Sequence, residues 1–258
     1  MVMFPVDKIS LRRMYDDISR RLAASGVGDA ATFLNYGYVS VGDGDESQVD
    51  VPAHSLNGNS VRLVLELIGN TALDGRRILD VGCGRGGAVG LIAKMFDVEI
   101  AGIDLSPEAV MFCRSNCDAP SARFDVGDAE HLPFEDGVHD VVVNIESSHG
   151  YPDLGKFLSE VKRVLKPGGR FLYTDLQPSE KWAYIRSELA RLGFLVKADR
   201  DITANVIASR DEAAPQSVKA FGSESEAMNS FLAVPGSELY ELMRQRILEY
   251  RIIRCCVK

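Results

Sequence analysis

No stretch of this 258-residue sequence stays apolar for the roughly 20 residues a membrane-spanning helix needs, so no transmembrane segment is expected. The first residues, MVMFPVDKISLRRMYDD, lack a charged start followed by a long apolar core. No secretory signal is expected there, and the cytoplasm is the expected compartment. Basic charge is scarce: the formal net charge is −8, and arginines cluster only briefly, as at Arg12-Arg13, Arg20-Arg21 and Arg76-Arg77. A nucleic-acid partner calls for a basic face, so the balance points instead to a small substrate that is not strongly anionic. The cysteines are Cys83, Cys113, Cys117, Cys255 and Cys256, an odd set without a regular framework, which argues for reduced thiols. Cys113 and Cys117 lie four apart on an expected helix, but no second Cys or His pair accompanies them. With no dedicated carboxylate cluster either, no metal is expected.

What the sequence does have is an alternation of short apolar runs with helical patterns, the mark of a parallel sheet covered on both faces. Arg77–Val81 reads as the first strand, followed by a glycine-rich turn and helical spacing over Ala88–Phe96. Val98–Ile103 is the second strand, Pro107–Cys117 a helix and Ala122–Val126 the third strand. Asp140–Ile145 is almost wholly apolar, as a central strand should be. Leu154–Leu165 is an amphipathic helix ending before Pro167-Gly168-Gly169, and Arg170–Asp175 is the fifth strand. Residues 1–74 read as an N-terminal helical cover, interrupted at Val41–Asp50 (VGDGDESQVD) by an expected mobile loop. Residues 75–201 form the expected core and 202–235, between Pro215 and Pro235, an inserted lid. Residues 236–258 supply a final helix and strand, the strand over Arg246–Val257. All belong to one domain.

The turn after the first strand, Gly82-Cys83-Gly84-Arg85-Gly86, exposes unpaired helix N–H groups and lets a ligand approach the backbone. Alone it suits NAD, FAD and S-adenosylmethionine alike. The acids around it separate these ligands. Asp104 ends the second strand, where a carboxylate can accept both hydroxyls of a ribose. Asp80 sits at the tip of the first strand, where it would repel a pyrophosphate but suit a cationic amino acid carrying an ammonium and a sulfonium. Turn stabilisation is the alternative for Asp80, and a strand-end cap the alternative for Asp104. Asp128, after the third strand, can accept from an adenine amino group.

Taken in order, ILDVGCGRGG, GIDLS, GDAEHLPF, DVVVNIESSH and LKPGGRFLYTD resemble the motif series of class I (Rossmann-like) S-adenosylmethionine-dependent methyltransferases, over about residues 76–176. The stretch from Asp128 to Gly169 is similar to small-molecule methyltransferases of secondary metabolism: sterol-type, sugar-type and polyketide- or lipid-tailoring enzymes, phthiotriol-type O-methyltransferases among them. This resemblance implies an α/β fold with a seven-stranded, mostly parallel sheet, its last strand antiparallel and inserted beside the fifth. It implies S-adenosylmethionine as cofactor and S-adenosylhomocysteine as product. By the same carry-over Asp80, Gly82, Cys83, Gly84 and Gly86 contact the methionine part, and Asp104 with Leu105 the ribose. Asp128, Ala129 and Glu130 flank the adenine, and Asn144 and Ile145 lie beneath the amino acid. Phe33–Tyr38 (FLNYGY) resembles the aromatic segment that covers the cofactor. Two roles are open to Tyr36 and Tyr15, covering the cofactor or packing within the cover.

His149 follows the fourth strand, where open α/β sheets place their ligands. Its ordinary pKa near neutrality suits removal of a hydroxyl proton, and related sugar and polyketide O-methyltransferases resemble this chain in carrying a His there as base. A structural His is the alternative. Asp175, ending the fifth strand, is expected to orient His149 or to cap the strand. Glu146, Tyr151, Trp182, Phe221 and Phe231 are expected at the acceptor, with Tyr184 and Met228 adding apolar surface. They favour a hydrophobic polyketide, macrolide, lipid or aromatic acceptor, beneath a lid that excludes water. The leading expectation is an O-methyltransferase on such a molecule. C- or N-methylation on the same scaffold is the second, and an NAD-dependent oxidoreductase or non-catalytic nucleotide-binding module the third. A homodimer is compatible with the cover and lid.

Overall fold

Strands form where short apolar runs allow both faces to be buried: β1 Arg76–Val81, β2 Val98–Asp104, β3 Ala122–Val126, β4 His139–Ile145, β5 Leu165–Pro178, β6 Phe194–Asp201 and β7 Leu248–Val257. They make one seven-stranded sheet in the order β3-β2-β1-β4-β5-β7-β6. β1 pairs in parallel with β2 and β4, and β4 in parallel with β5, whereas β7 runs antiparallel to both β5 and β6. This is the seven-stranded α/β fold expected, with the last strand inserted beside the fifth. The computed structural model describes residues 7–24, 28, 30–42, 57–221 and 226–258, with backbone alone at 215–221 and 226–228. The loop expected at Val41–Asp50 lies, beyond Gly42, outside the described residues.

Alternation along the strands divides the core in two. Ile78, Val141, Val143, Leu172 and Ile252 face one layer, packed against α2 (Gly58–Ile68), α3 (Gly87–Met95) and α4 (Pro107–Asn116). Leu79, Val142, Phe171, Tyr173 and Ile253 face the other, against α5 (Leu154–Val164) and α6 (Lys181–Arg191). Val141, Val142 and Val143 are all buried, which is why the sequence there reads as one continuous apolar run. The helices start where their caps say. The Ser106 hydroxyl accepts from Ala109 N at 3.1 Å ahead of Pro107, and Asp153 accepts from Lys156 N at 2.9 Å.

Two expectations change, and one strand was not marked out in advance. α2 is no cover: Leu63, Val64 and Leu67 are wholly buried in the core, so among the described N-terminal residues it is α1 (Lys8–Ala24) and residues 32–36 that lie over the site. β5 begins at Leu165 and runs through Pro167-Gly168-Gly169, longer at both ends than Arg170–Asp175. β6 has no strong strand signature because Leu195 and Val196 are exposed at the sheet edge. Between β6 and β7 stand α7 (Thr203–Phe221), which passes through Pro215, α8 (Glu226–Phe231) and α9 (Glu238–Arg244).

Candidate active site

The strand order reverses on either side of β1, and in open α/β sheets that reversal opens a crevice at the strands' carboxyl ends. Here the crevice is a cavity of about 1270 Å³, open mouth included. Its floor comes from the tips of β1, β2 and β4, and its roof from α1 and residues 32–36.

The glycine turn forms one wall. Gly82 has φ 76° and Gly84 φ 53°, left-handed conformations that a side chain would strain. A Cβ at Gly82 would also strike the Ser147 and Tyr151 side chains, so its absence lets the β1 and β4 loops meet. Cys83 lines the cavity as well, a buried thiol. Gly86 does not; at φ 78° it opens α3 on the far side, against Cys113 and Phe124. Arg85, unassigned by the sequence reading, is 2% exposed and fastens the roof to this turn. Its Nε donates to Ala31 O at 2.7 Å and its Nη2 to Gly28 O at 2.6 Å, and its guanidinium lies 3.4 Å from the centroid of the Phe112 ring.

Carboxylates dominate the polar lining. Asp104 accepts from Gly84 N at 2.8 Å and Ser106 N at 2.9 Å, yet burial outweighs these bonds and raises its pKa. Asp80 is 2% exposed, and its Oδ1 has no hydrogen-bond partner among the described residues. Burial first, and then the Asp104 charge, pushes it up to about 7. Such an orphaned acidic oxygen at a cavity wall is costly, and it fits the ammonium donor of an amino acid ligand. Asp128, Ala129 and Glu130 stand further along, beside Leu105. There Lys8, which nothing near it in sequence marks out, bridges Asp128 at 2.7 Å and Glu130 at 2.6 Å from the start of α1.

Across the sheet, Glu146 turns the β4 tip with φ 50°, a strained conformation for this residue. The Ser148–Gly150 helical turn then presents His149 to the cavity. Its Nδ1 is 2.7 Å from Asp175 Oδ1, and its backbone N donates to Asp175 Oδ2 at 3.0 Å. Asp175 is fully buried behind it, also accepting from the Ser148 hydroxyl at 2.6 Å and Leu176 N at 2.7 Å. Burial alone would lower the His149 pKa, but the charge and hydrogen bond of Asp175, together with the Glu146 charge, more than offset it, and the net shift is upward.

Of the remaining expected residues, Tyr15, Tyr36, Ile145, Tyr151 and Phe231 line the cavity. The Tyr36 hydroxyl donates to Phe231 O at 2.8 Å, tying roof to α8. Asn144 is buried below the floor, donating to Val81 O at 2.7 Å. Trp182 is a correction: it is fully buried between α6 and the sheet, its indole N–H donating to Glu249 O at 3.1 Å, and it does not reach the cavity. Tyr184 is largely exposed, and the side chains of Phe221 and Met228 lie outside the described residues. No group of metal-binding side chains occurs among the described residues, and no described helix is long and apolar enough to cross a membrane.

Residues 79–173 match the family model of a methyltransferase domain. The chain is 33% identical over 241 residues to a fatty-acid O-methyltransferase of Mycolicibacterium smegmatis, covering 89% of this chain and 84% of that protein. It is 36% identical over 202 residues to a probable phthiotriol/phenolphthiotriol dimycocerosates methyltransferase of Mycobacterium ulcerans, covering 76% of each. Among solved structures, the [4+2]-cyclase SpnF superposes with a TM-score of 0.73 over 98% of this chain and 97% of its own. At 20% identity that likeness speaks for the fold alone. The chain belongs to the S-adenosylmethionine-dependent methyltransferases. Its cofactor is S-adenosylmethionine.

Proposed function

We propose that this methyltransferase methylates a hydroxyl of a lipid-like small molecule, with His149 as the base. The observation that carries the reading is the His149–Asp175 pair, a histidine on the cavity wall held through Nδ1 at 2.7 Å by a fully buried carboxylate. The relatives named for fatty-acid and phthiotriol substrates support a lipid-like acceptor, as do the apolar Leu11, Tyr15, Phe33 and Phe231 around the cavity. A polyketide-derived acceptor fits the same lining.

S-adenosylmethionine supplies an electrophilic methyl on a sulfonium. Asp80 offers its unpartnered oxygen to the amino acid end, and Asp104 with Leu105 takes the ribose. Asp128, Ala129 and Glu130 flank the adenine, with Lys8 neutralising the two carboxylates. Tyr15 and Tyr36 cover the cofactor from the roof. The acceptor lies between His149, Glu146, Tyr151 and Phe231. As the oxygen gains the methyl it loses its proton to the His149 nitrogen turned away from Asp175. Asp175 fixes the ring orientation and stabilises the imidazolium that results. The roof excludes water, so positioning contributes much of the rate.

His149→Ala tests the assignment. Methyl transfer to an alcohol acceptor is expected to fall by about 10²- to 10⁴-fold, with cofactor affinity by calorimetry within about threefold of wild type. Turnover equal to wild type removes His149 from the reaction.

A further inference from the structure

The backbone donors that follow Asp80 are already in use. Gly82 N and Cys83 N both donate to Ile103 O, at 2.8 and 2.9 Å, and Gly84 N donates to Asp104 at 2.8 Å. Asp80 has an unpartnered oxygen for an ammonium, but an amino acid also carries a carboxylate, which needs donors of its own. Gly82, Cys83 and Gly84 have no N–H left to supply them. Of the lining cations, Lys8 is held by Asp128 and Glu130, and Arg85 donates to Ser19, Gly28 and Ala31.

Two hydroxyls stand beside the turn instead. A Cβ on Gly82 would strike both the Ser147 and the Tyr151 hydroxyl, and both residues line the cavity. Below them, Asn144 Nδ2 donates to Val81 O and to Ser147 Oγ, each at 2.7 Å, and approaches the Tyr151 hydroxyl at 3.2 Å. The two hydroxyl oxygens are 2.9 Å apart, a single contact that uses one of their two protons. If Tyr151 donates there, Ser147 is left with Val81 O at 3.3 Å, which already accepts from Asn144. If Ser147 donates, the Tyr151 proton has no acceptor among the described residues and is free for a ligand. Burial holds this phenol well above its ordinary pKa, so it stays a neutral donor. Its ring meets Phe157 edge-on, with centroids 4.9 Å apart, which fixes where the hydroxyl stands.

We infer that the Tyr151 hydroxyl, oriented by Ser147 and Asn144, binds the carboxylate of S-adenosylmethionine beside Gly82, while Asp80 takes the ammonium. The inference rests on the reading that the cofactor's amino acid end lies at Asp80. Tyr151 then reads the cofactor as well as bordering the acceptor.

S-adenosylmethionine and its decarboxylated form, which keeps the ammonium and the sulfonium, test this by calorimetry without acceptor. Wild type is expected to bind the intact cofactor at least about tenfold more tightly. Tyr151→Phe keeps the ring against Phe157 and removes the hydroxyl. It is expected to weaken S-adenosylmethionine about 10- to 100-fold and the decarboxylated form by less than about threefold. Equal affinity of wild type for the two ligands overturns the inference, and needs no variant to fold. A Tyr151→Phe protein that keeps the wild-type ratio overturns it too, whether it binds both ligands normally or loses both alike as a merely structural residue would. Asp80→Asn removes the partner of the ammonium that both ligands carry, and is expected to weaken both equally. If it weakens neither, the placement of the amino acid end fails. If it weakens both while Tyr151→Phe leaves their ratio unchanged, only the carboxylate assignment fails, so the two failures are distinguishable.

Discussion

Replacing Asp175 with Asn removes one charge and turns one acceptor edge into a donor. Asp175 faces four donors and no acceptor: His149 Nδ1 and Leu176 N at Oδ1, the Ser148 hydroxyl and His149 N at Oδ2. An amide must aim its NH₂ at one of these pairs. Aimed at the Oδ1 position, it orphans Leu176 N and donates to His149 Nδ1, which forces the proton to the other ring nitrogen and abolishes the base. Aimed at the Oδ2 position, it orphans His149 N, while the Ser148 hydroxyl can rotate to accept and donate to Tyr173, 2.7 Å away. Either way one buried N–H is left unpaired, at a cost of about 1–3 kcal/mol. The inverted tautomer should lower kcat by about 10²- to 10⁴-fold, the scale of the equivalent change in a Ser-His-Asp triad. The pH profile separates this from simple damage. In wild type the His149 pKa is raised, so kcat should climb with pH through a midpoint above the ordinary histidine value of about 6.5. Asp175→Asn removes the main influence that raises it and leaves burial, which lowers it, opposed only by the lesser pull of the Glu146 charge, so the midpoint should move to lower pH beneath a reduced plateau. Single-turnover rates across pH provide the assay. A plateau within about threefold of wild type and an unmoved midpoint would refute the coupling of Asp175 to His149.

Two further outcomes follow from the same geometry. Asp80 has a folded pKa near 7 against an ordinary 3.8, so its contribution to stability is full below about 3.8 and is lost as pH rises through about 7. Asp80→Asn should therefore make the ligand-free protein more stable than wild type at pH 8, with the gap closing near pH 4 in denaturant titrations. The same change should weaken S-adenosylmethionine binding about 10- to 100-fold; a gain in stability without that loss would take Asp80 out of the cofactor's reach. Trp182→Ala should cost about 3–5 kcal/mol of stability and leave the KM for the acceptor nearly unchanged. A large rise in KM without destabilisation would return Trp182 to the acceptor site.

Where a residue's role depends on its near neighbours in sequence, the sequence is a good guide. β1, its glycine turn and α3 follow from an apolar run, three glycines and a helical spacing, and Ser106 with Pro107 marks the start of α4. Asp80 and Asp104 fall at the strand tips because strand ends are set locally. The His149–Asp175 pair was legible too, since β4 and β5 are adjacent in this sheet, His149 follows β4 and Asp175 lies three residues before the end of β5. Trp182 shows a signal misread: with Ile185 and Leu189 it forms the buried stripe of α6, spaced three and four apart, and that stripe marks the face turned to the sheet.

Other features came only with the tertiary structure. Lys8 meets Asp128 across 120 positions, and Arg85 reaches back to Gly28 and Ala31. Glu146 draws Tyr36 from the roof and Tyr250 from the last strand onto one oxygen. No local pattern encodes these contacts, because each depends on how separate elements are packed, and β6 escaped notice because an exposed edge relaxes the alternation that betrays a strand. The sequence by itself determined the parallel strands of the sheet and the glycine turn, since backbone conformation and hydrophobic period act over a few residues, and its motif series pointed to the cofactor through resemblance to a known family. Only the tertiary structure decided which carboxylates are buried and that an Asp80 oxygen is left without a partner, and burial is what turns an ordinary aspartate into a group able to hold a cation.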